Sequence, residues 1–173
     1  ARQHCPTGSM MTTICPTGRP DWRGALRRYL LFLAAANLLW EFAHLPLYTI
    51  WLTAKPPELV FAVLHCTGGD VLIALSAIVL ALLLFGSSEW PRLGAGRVLL
   101  AVLAFGIGYT IFSEWLNIVV RQAWAYRDLM PVIPVIDTGL SPFMQWLVVP
   151  LAAYSYATGW RPWRRKKRES VHA

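Results

Sequence analysis

Charged residues are scarce in this chain of 173 residues. Asp, Glu, Lys and Arg together make up 14% of it, and hydrophobic residues make up 56%. A soluble domain usually carries about 25% charged residues. A large core does not explain so wide a difference, which excludes an ordinary soluble domain and predicts an integral membrane protein.

Other features are missing as well. Cys5, Cys15 and Cys66 form neither a CxxC pair nor a His-rich pattern, which excludes a disulfide framework and a structural zinc module. Segments of alternating polarity are absent, which argues against a membrane barrel. The net charge is +7, but no nucleic-acid-binding module accompanies it, so a nucleic-acid partner is not expected. No signal peptide is expected before the first apolar run, which is too long for one.

The apolar residues fall into four runs near the length of about 20 residues that a transmembrane helix needs. They cover about residues 29–52, 59–85, 98–120 and 142–158, and the last is short and contains Pro150. The predicted fold class is therefore all-α, a polytopic bundle of four transmembrane helices within residues 23–160. Residues 1–22 are expected to be a disordered arm, with Met10 or Met11 as a candidate start.

The basic residues predict the orientation. With the N-terminus in the cytoplasm, 13 of the 16 Lys and Arg residues lie inside, and Lys55, Arg121 and Arg127 lie outside. An even number of spans satisfies this bias, with both termini in the cytoplasm. The basic tail, residues 161–173, is expected to bind anionic lipid headgroups. Its headgroup ligands would be Arg164, Arg165, Lys166, Lys167 and Arg168.

Ionisable residues inside the predicted spans indicate a functional site, because a central charge costs about 2.5–3.5 kcal/mol on insertion scales. Five residues form the candidate buried site, all in the outer half: Glu41, His44, His65, Asp70 and Glu114. Four more are expected around them: Tyr48, Asn117, Arg121 and Gln145.

The helical spacing places most of these candidate residues on the same side of their helices. Glu41, His44 and Tyr48 lie on one stripe, at i, i+3 and i+7. His65 and Asp70 are five residues apart, about 140° around a helix, so they share one centre only if the helix is distorted. Gly68 and Gly69 lie between them and would permit that distortion.

Several functions fit this cluster. The five residues would suit a divalent metal such as Zn, Mn or Fe, since Glu-x-x-His is a ligand pair of di-iron bundles. Haem ligation by His44 and His65 is a weaker form of this hypothesis. The chain would then be a membrane-embedded binding protein, a homo-oligomer or a subunit of a membrane complex. Alternatively, Glu and His perform acid–base catalysis on a lipid or isoprenoid, as an isomerase, cyclase or hydratase. A purely structural role for the cluster is the third hypothesis.

Five segments carry a resemblance: NLLWEFAHLPLY at Asn37–Tyr48, HCTGGD at His65–Asp70, YTIFSEWLN, WAYRDLMP and GLSPFMQWLVVP. Together they resemble a group of small bacterial inner-membrane proteins with no assigned function. The resemblance implies a four-helix, multi-pass protein of the bacterial inner membrane. It implies no activity, cofactor or catalytic residue.

Reporter fusions test the predicted orientation. Fusions at Lys55 and Asp137 are expected to report the outer side, and fusions at Arg92 and in the tail to report the cytoplasm. Reversed signals at both loops would place the polar cluster in the inner half of the membrane and contradict the site prediction.

Overall fold

A computed structural model describes residues 21–160. It contains helices α1 (Trp22–His44), α2 (Ile50–Thr53), α3 (Pro56–Phe85), α4 (Ala95–Trp115) and α5 (Leu140–Thr158). A 3₁₀ turn, Leu45–Leu47, follows α1, and a π-helical turn, Leu116–Val120, continues α4. Strands β1 (Val132–Ile133) and β2 (Thr138–Gly139) pair antiparallel ahead of α5. Residues 1–20 of the predicted arm and the predicted lipid-binding tail lie outside the described residues.

The first helix differs from the predicted span of about residues 29–52. It begins at Trp22, where the Asp21 carboxylate accepts a 2.9 Å hydrogen bond from the Gly24 N–H and caps the helix. It ends at His44, where the backbone tightens into the 3₁₀ turn that contains Pro46, a residue with no N–H to donate to a helical hydrogen bond. Tyr48 therefore lies beyond α1 rather than on its surface, and Glu41 lies one turn from the helix end.

Proline and glycine mark the other helix ends. Pro56 is the first residue of α3, where a missing N–H costs no helical hydrogen bond. The Glu58 carboxylate there accepts a 3.0 Å bond from the Lys55 N–H. At the end of α5, Gly159 has a φ of 66°, the left-handed conformation that glycine adopts most readily.

The four long helices pack in a ring in which α1 contacts α3 and α5, and α4 contacts the same two helices. The core at the end of the ring away from the candidate site is built from Tyr29, Leu33, Ile78, Val102 and Tyr154. There, the Trp90 indole N–H donates to the Tyr154 hydroxyl at 2.8 Å. That hydroxyl donates to the Ala95 carbonyl at 2.8 Å, which ties the α3–α4 connection to α5.

The outer faces of the helices are apolar. Leu83 is 79% exposed, and Leu39, Leu100 and Phe61 are similarly exposed. A soluble monomer rarely carries so much contiguous apolar surface. Three of the described helical segments are long and apolar enough to cross a membrane: Trp22–Leu47, Pro56–Phe85 and Ala95–Val120. The described part of the chain is thus a mostly helical protein with three candidate membrane spans, as expected for a membrane protein.

Helices α4 and α5 pack closely at Gly106. A Cβ atom on Gly106 would overlap the Trp146 ring, whereas a Cβ on Gly108 would meet no neighbouring atom within 4 Å. Small residues at such positions allow membrane helices to approach closely.

Replacing Gly106 by Ala is therefore expected to destabilise the protein by about 1–3 kcal/mol through overpacking. Gly108→Ala is the matched control in the same helix, and it should unfold at the wild-type temperature or slightly above. Thermal unfolding in detergent, followed by circular dichroism, measures both variants. Equal stability of the two variants would contradict the packing described here.

Candidate functional site

A cavity of about 590 Å³ lies at the end of the ring where α1 finishes and α5 begins. Ligand sites commonly have volumes of about 300–1,000 Å³. All nine residues proposed from the sequence line this cavity: Glu41, His44, Tyr48, His65, Asp70, Glu114, Asn117, Arg121 and Gln145. Apolar side chains, among them Phe61, Ile73 and Trp146, form much of the remaining wall.

Glu41 and His44 form a buried polar pair in the cavity wall. The residues are 7% exposed each, and one Glu41 oxygen lies 3.1 Å from His44 Nε2. The pair forms because residues three apart on a helix lie on the same face. Both side chains are contributed by the last turn of α1, so the contact depends little on the rest of the fold.

The other imidazole nitrogen is fixed by α5. His44 Nδ1 lies 3.2 Å from Ser141 Oγ, and the Trp40 indole N–H donates to the same oxygen at 3.2 Å. Because the indole only donates, the serine hydroxyl proton is free to point at Nδ1, which leaves the proton of a neutral imidazole on Nε2, facing Glu41. If the imidazole gains a second proton, Ser141 accepts instead of donating. His44 is thus hydrogen-bonded in both protonation states.

Gln145 connects three helices at the inner wall of the cavity. Its Nε2 atom lies 2.9 Å from Glu41, 3.1 Å from Asp70 and 3.1 Å from Asn37, in each case from an oxygen atom. An amide NH₂ group has two protons for these three acceptors. The oxygen atoms of Asn37, Glu41 and Asp70 therefore share two protons, which brings two carboxyl groups close together in a buried place.

Glu114 lies on the opposite wall and is bound by the connection between α4 and α5. The Tyr126 hydroxyl donates to a Glu114 oxygen and accepts a 2.8 Å bond from the Gly139 N–H. Tyr126 also forms an antiparallel bridge with Tyr48, whose ring contacts that of His44. Through these contacts the connection packs against this end of the helices.

The π-helical turn that ends α4 adds a polar rim. Asn117 donates to the Ser113 carbonyl at 2.9 Å and accepts a 3.2 Å bond from Arg121 Nη1. Arg121 is exposed and lies on the cavity wall, so a cation faces the mouth of the cavity. Turns of this kind occur often at functional sites.

His65 does not join the buried pair. The helix α3 runs without interruption through Gly68 and Gly69, so no distortion brings His65 and Asp70 to one facing. His65 is exposed and stacks on Phe61 at the cavity edge, with ring centroids 5.5 Å apart, while Asp70 reaches Gln145.

The predicted metal centre gains no geometric support. Within residues 21–160, no three His, Cys, Asp or Glu side chains group closely enough to hold a metal ion. Glu41 and His44 contact each other, Glu114 contacts Tyr126, and His65 lies apart at the edge. Metal and haem binding stay predictions from the sequence.

Sequence reasoning missed several partners of the cluster. Asn37 lies one turn before Glu41 on the same stripe, a spacing that would have revealed it. Ser141, Trp40 and Tyr126 gave no such signal, because their roles depend on how α5 and the preceding loop pack against α1 and α4.

The chain matches no protein-family model, no curated protein and no solved structure. The function is therefore inferred from the residues of the site.

Tyr126 gives the site a testable pH dependence. Burial, and next its hydrogen bond to Glu114, raise the pKa of this phenol in the folded protein above the usual value of about 10. A tyrosine whose pKa is higher in the folded protein than in the unfolded chain stabilises the fold at a pH below the unfolded value. This stabilisation is lost as the pH rises above the unfolded value. Stability is therefore expected to fall above about pH 10.

Tyr126→Phe should reduce this alkaline loss. At neutral pH it should cost about 1–3 kcal/mol, because Glu114 and the Gly139 N–H lose a partner. Tyr156→Phe, at a residue 62% exposed, is the control. Thermal unfolding between pH 7 and pH 11 measures both variants. An unchanged alkaline profile in Tyr126→Phe would contradict the assigned contact.

Proposed function

We propose that this protein binds a lipid-like or isoprenoid molecule in the cavity and performs acid–base chemistry on it, with Glu41 and His44 exchanging the proton. The observation that carries the proposal is the Glu41–His44 pair, buried, hydrogen-bonded in both imidazole states and lining a largely apolar cavity of ligand size. Such pairs are effective general acids and bases when held in a dry site.

The setting proposed for this site is a bacterial inner membrane. In this topology α5 is a fourth span and both termini face the cytoplasm. The asymmetry of Lys and Arg supports it, as does the packing of α5 against α1 and α4. The cavity then opens toward the outer half of the bilayer, and the basic tail meets cytoplasmic headgroups.

The chemistry follows from the order of the hydrogen bonds. Glu41 contacts His44 through one oxygen and Gln145 through the other. A doubly protonated His44 gives its Nε2 proton to Glu41, which passes it to a ligand carbon, while His44 Nδ1 keeps its hydrogen bond to Ser141. In an isomerase or cyclase the resulting cation loses a different proton to a base. In a hydratase water adds instead and releases one proton. Glu41 or Asp70 accepts that proton, and the cycle closes without an oxidant or reductant.

All three reaction types place a solvent proton on carbon, which gives a test that needs no known substrate. Membranes containing the protein are incubated in D₂O, and their extracted apolar lipids are examined by mass spectrometry for deuterium on carbon. Glu41→Gln is expected to lower the incorporation by about 10²–10⁴-fold, the usual contribution of general acid–base catalysis.

Glu89→Gln is the control for this experiment, because Glu89 is an exposed residue between α3 and α4, away from the cavity. Folded wild-type protein that transfers no deuterium to any lipid would overturn the proposal. If Glu41→Gln does not fold, deuterium incorporation is measured with His44→Gln instead. Full incorporation by folded His44→Gln would contradict the proposed proton exchange between Glu41 and His44.

A structural role is the second candidate, and a specific observation favours it. Asn37, Glu41, Asp70 and Gln145 join α1, α3 and α5 through one amide group. Such a network fixes the relative positions of helices where water cannot supply partners.

A further inference from the structure

We infer that the ligand of this cavity is a single-chain lipid with one oxygen-bearing head group, and that its apolar chain lies in a groove between α3 and α4. This inference rests on the proposed function and adds the shape, polarity and orientation of the molecule.

The groove has a volume of about 350 Å³ and lies between the middle parts of α3 and α4. Leu72, Ser76, Leu80, Phe105 and Tyr109 are among the residues that line it. It follows α3 from Leu72 to Leu80, about 12 Å at a rise of about 1.5 Å per residue. The one hydroxyl of this stretch of α3 is satisfied, because Ser76 donates to the Leu72 carbonyl at 2.8 Å, so the surface offered to a chain is apolar.

The groove continues into the cavity. Ile73 and Tyr109 line both, so a molecule that occupies the cavity can extend into the groove without leaving the protein surface. Leu72 is 65% exposed and Tyr109 is 47% exposed, on helices apolar enough to face lipid. The apolar chain of the ligand therefore enters laterally from the membrane. It leaves its contacts with the surrounding acyl chains and makes contacts with α3 and α4 instead.

The head group is placed by Trp124. Its ring lines the cavity, and its indole N–H is buried without a hydrogen-bond partner among the described residues. An indole N–H only donates, so its complement is an acceptor such as a hydroxyl or carbonyl oxygen. Arg121 lies close by in sequence, on the same wall of the cavity.

These positions define the ligand class. The ligand oxygen that accepts from Trp124 lies at the loop end of the cavity. The Glu41–His44 pair is deeper, and the groove continues toward the middle of α3. The inferred ligand therefore carries one chain, which follows the groove beside α3. A linear fatty or isoprenoid alcohol has the required form, with its head at the outer side and its chain parallel to the surrounding lipids.

The inference is tested with two photoactivatable probes, both sixteen-carbon linear alcohols. One carries a diazirine near the chain end and the other carries it beside the hydroxyl. Full-length protein in lipid nanodiscs is irradiated with each probe, and the labelled residues are located by peptide mass spectrometry. The chain-end probe is expected to label the groove, at Ser76, Leu80 or Phe105. The hydroxyl-end probe should label the cavity near Trp124.

Ser76→Trp fills the groove from an exposed position and should reduce chain-end labelling there at least tenfold. Leu75→Trp is the matched control, because Leu75 is 38% exposed at the same depth but lies outside the groove. It should label as the wild type does. Trp124→Phe should weaken labelling by both probes, because it removes the donor to the oxygen and keeps a ring.

The outcomes separate this inference from the proposed function. Cavity labelling with no groove labelling, or equal labelling of Ser76→Trp and Leu75→Trp, overturns the groove and leaves the deuterium result standing. Labelling as expected without deuterium transfer in the first experiment would overturn the catalytic proposal and retain a lipid-binding protein. No labelling of cavity or groove by either probe would overturn the inferred ligand class.

Discussion

The Glu41 carboxylate imposes the constraint on which this end of the structure depends. In hydrocarbon a carboxylate finds no water, so every partner must come from the protein. Glu41 takes one partner from its own helix, His44, and one from α5, Gln145. Ser141, one turn before Gln145, holds the other side of the imidazole. The first turns of α5 are therefore held to the last turn of α1 by the hydrogen bonds of the site itself. A change in those hydrogen bonds would also change the stability of the contact between the two helices.

The same constraint explains why α3, α4 and the loop before α5 also supply hydrogen-bond partners to the site. Asp70 on α3 reaches the pair through Gln145, while Glu114 on α4 is satisfied by Tyr126 from the loop. Each carboxyl group thus has a neutral donor rather than a cation as its nearest partner.

The helix ring has one region that is closely packed and another that leaves open space. At the cavity wall, Gly106 admits the Trp146 ring. Away from the cavity, large side chains such as Ile78 and Tyr154 fill the interior. Near the cavity, Gly69 of α3 has no side chain and no neighbour within 4 Å of its missing Cβ. Close packing at one end and its absence at the other leave room for a ligand without weakening the whole ring. The groove between α3 and α4 connects that room to the lipid-facing surface.

The amino-acid sequence by itself determined the helical membrane class, three of the apolar spans and nine of the residues that line the cavity. Local spacing and the cost of burying charge are properties of a sequence, and Glu41 and His44 pair through spacing alone. The end of α1 was misplaced because apolar residues continue past Pro46, and hydropathy does not register a missing N–H.

Only the tertiary structure decided how the residues are paired. It turned His65 away from the pair, because a continuous helix fixes the angle between His65 and Asp70, and it brought Gln145 to Asn37, Glu41 and Asp70. It also placed Tyr126 on Glu114. These contacts join residues distant in the chain, and their geometry depends on helix rotation and loop path, which sequence spacing does not specify.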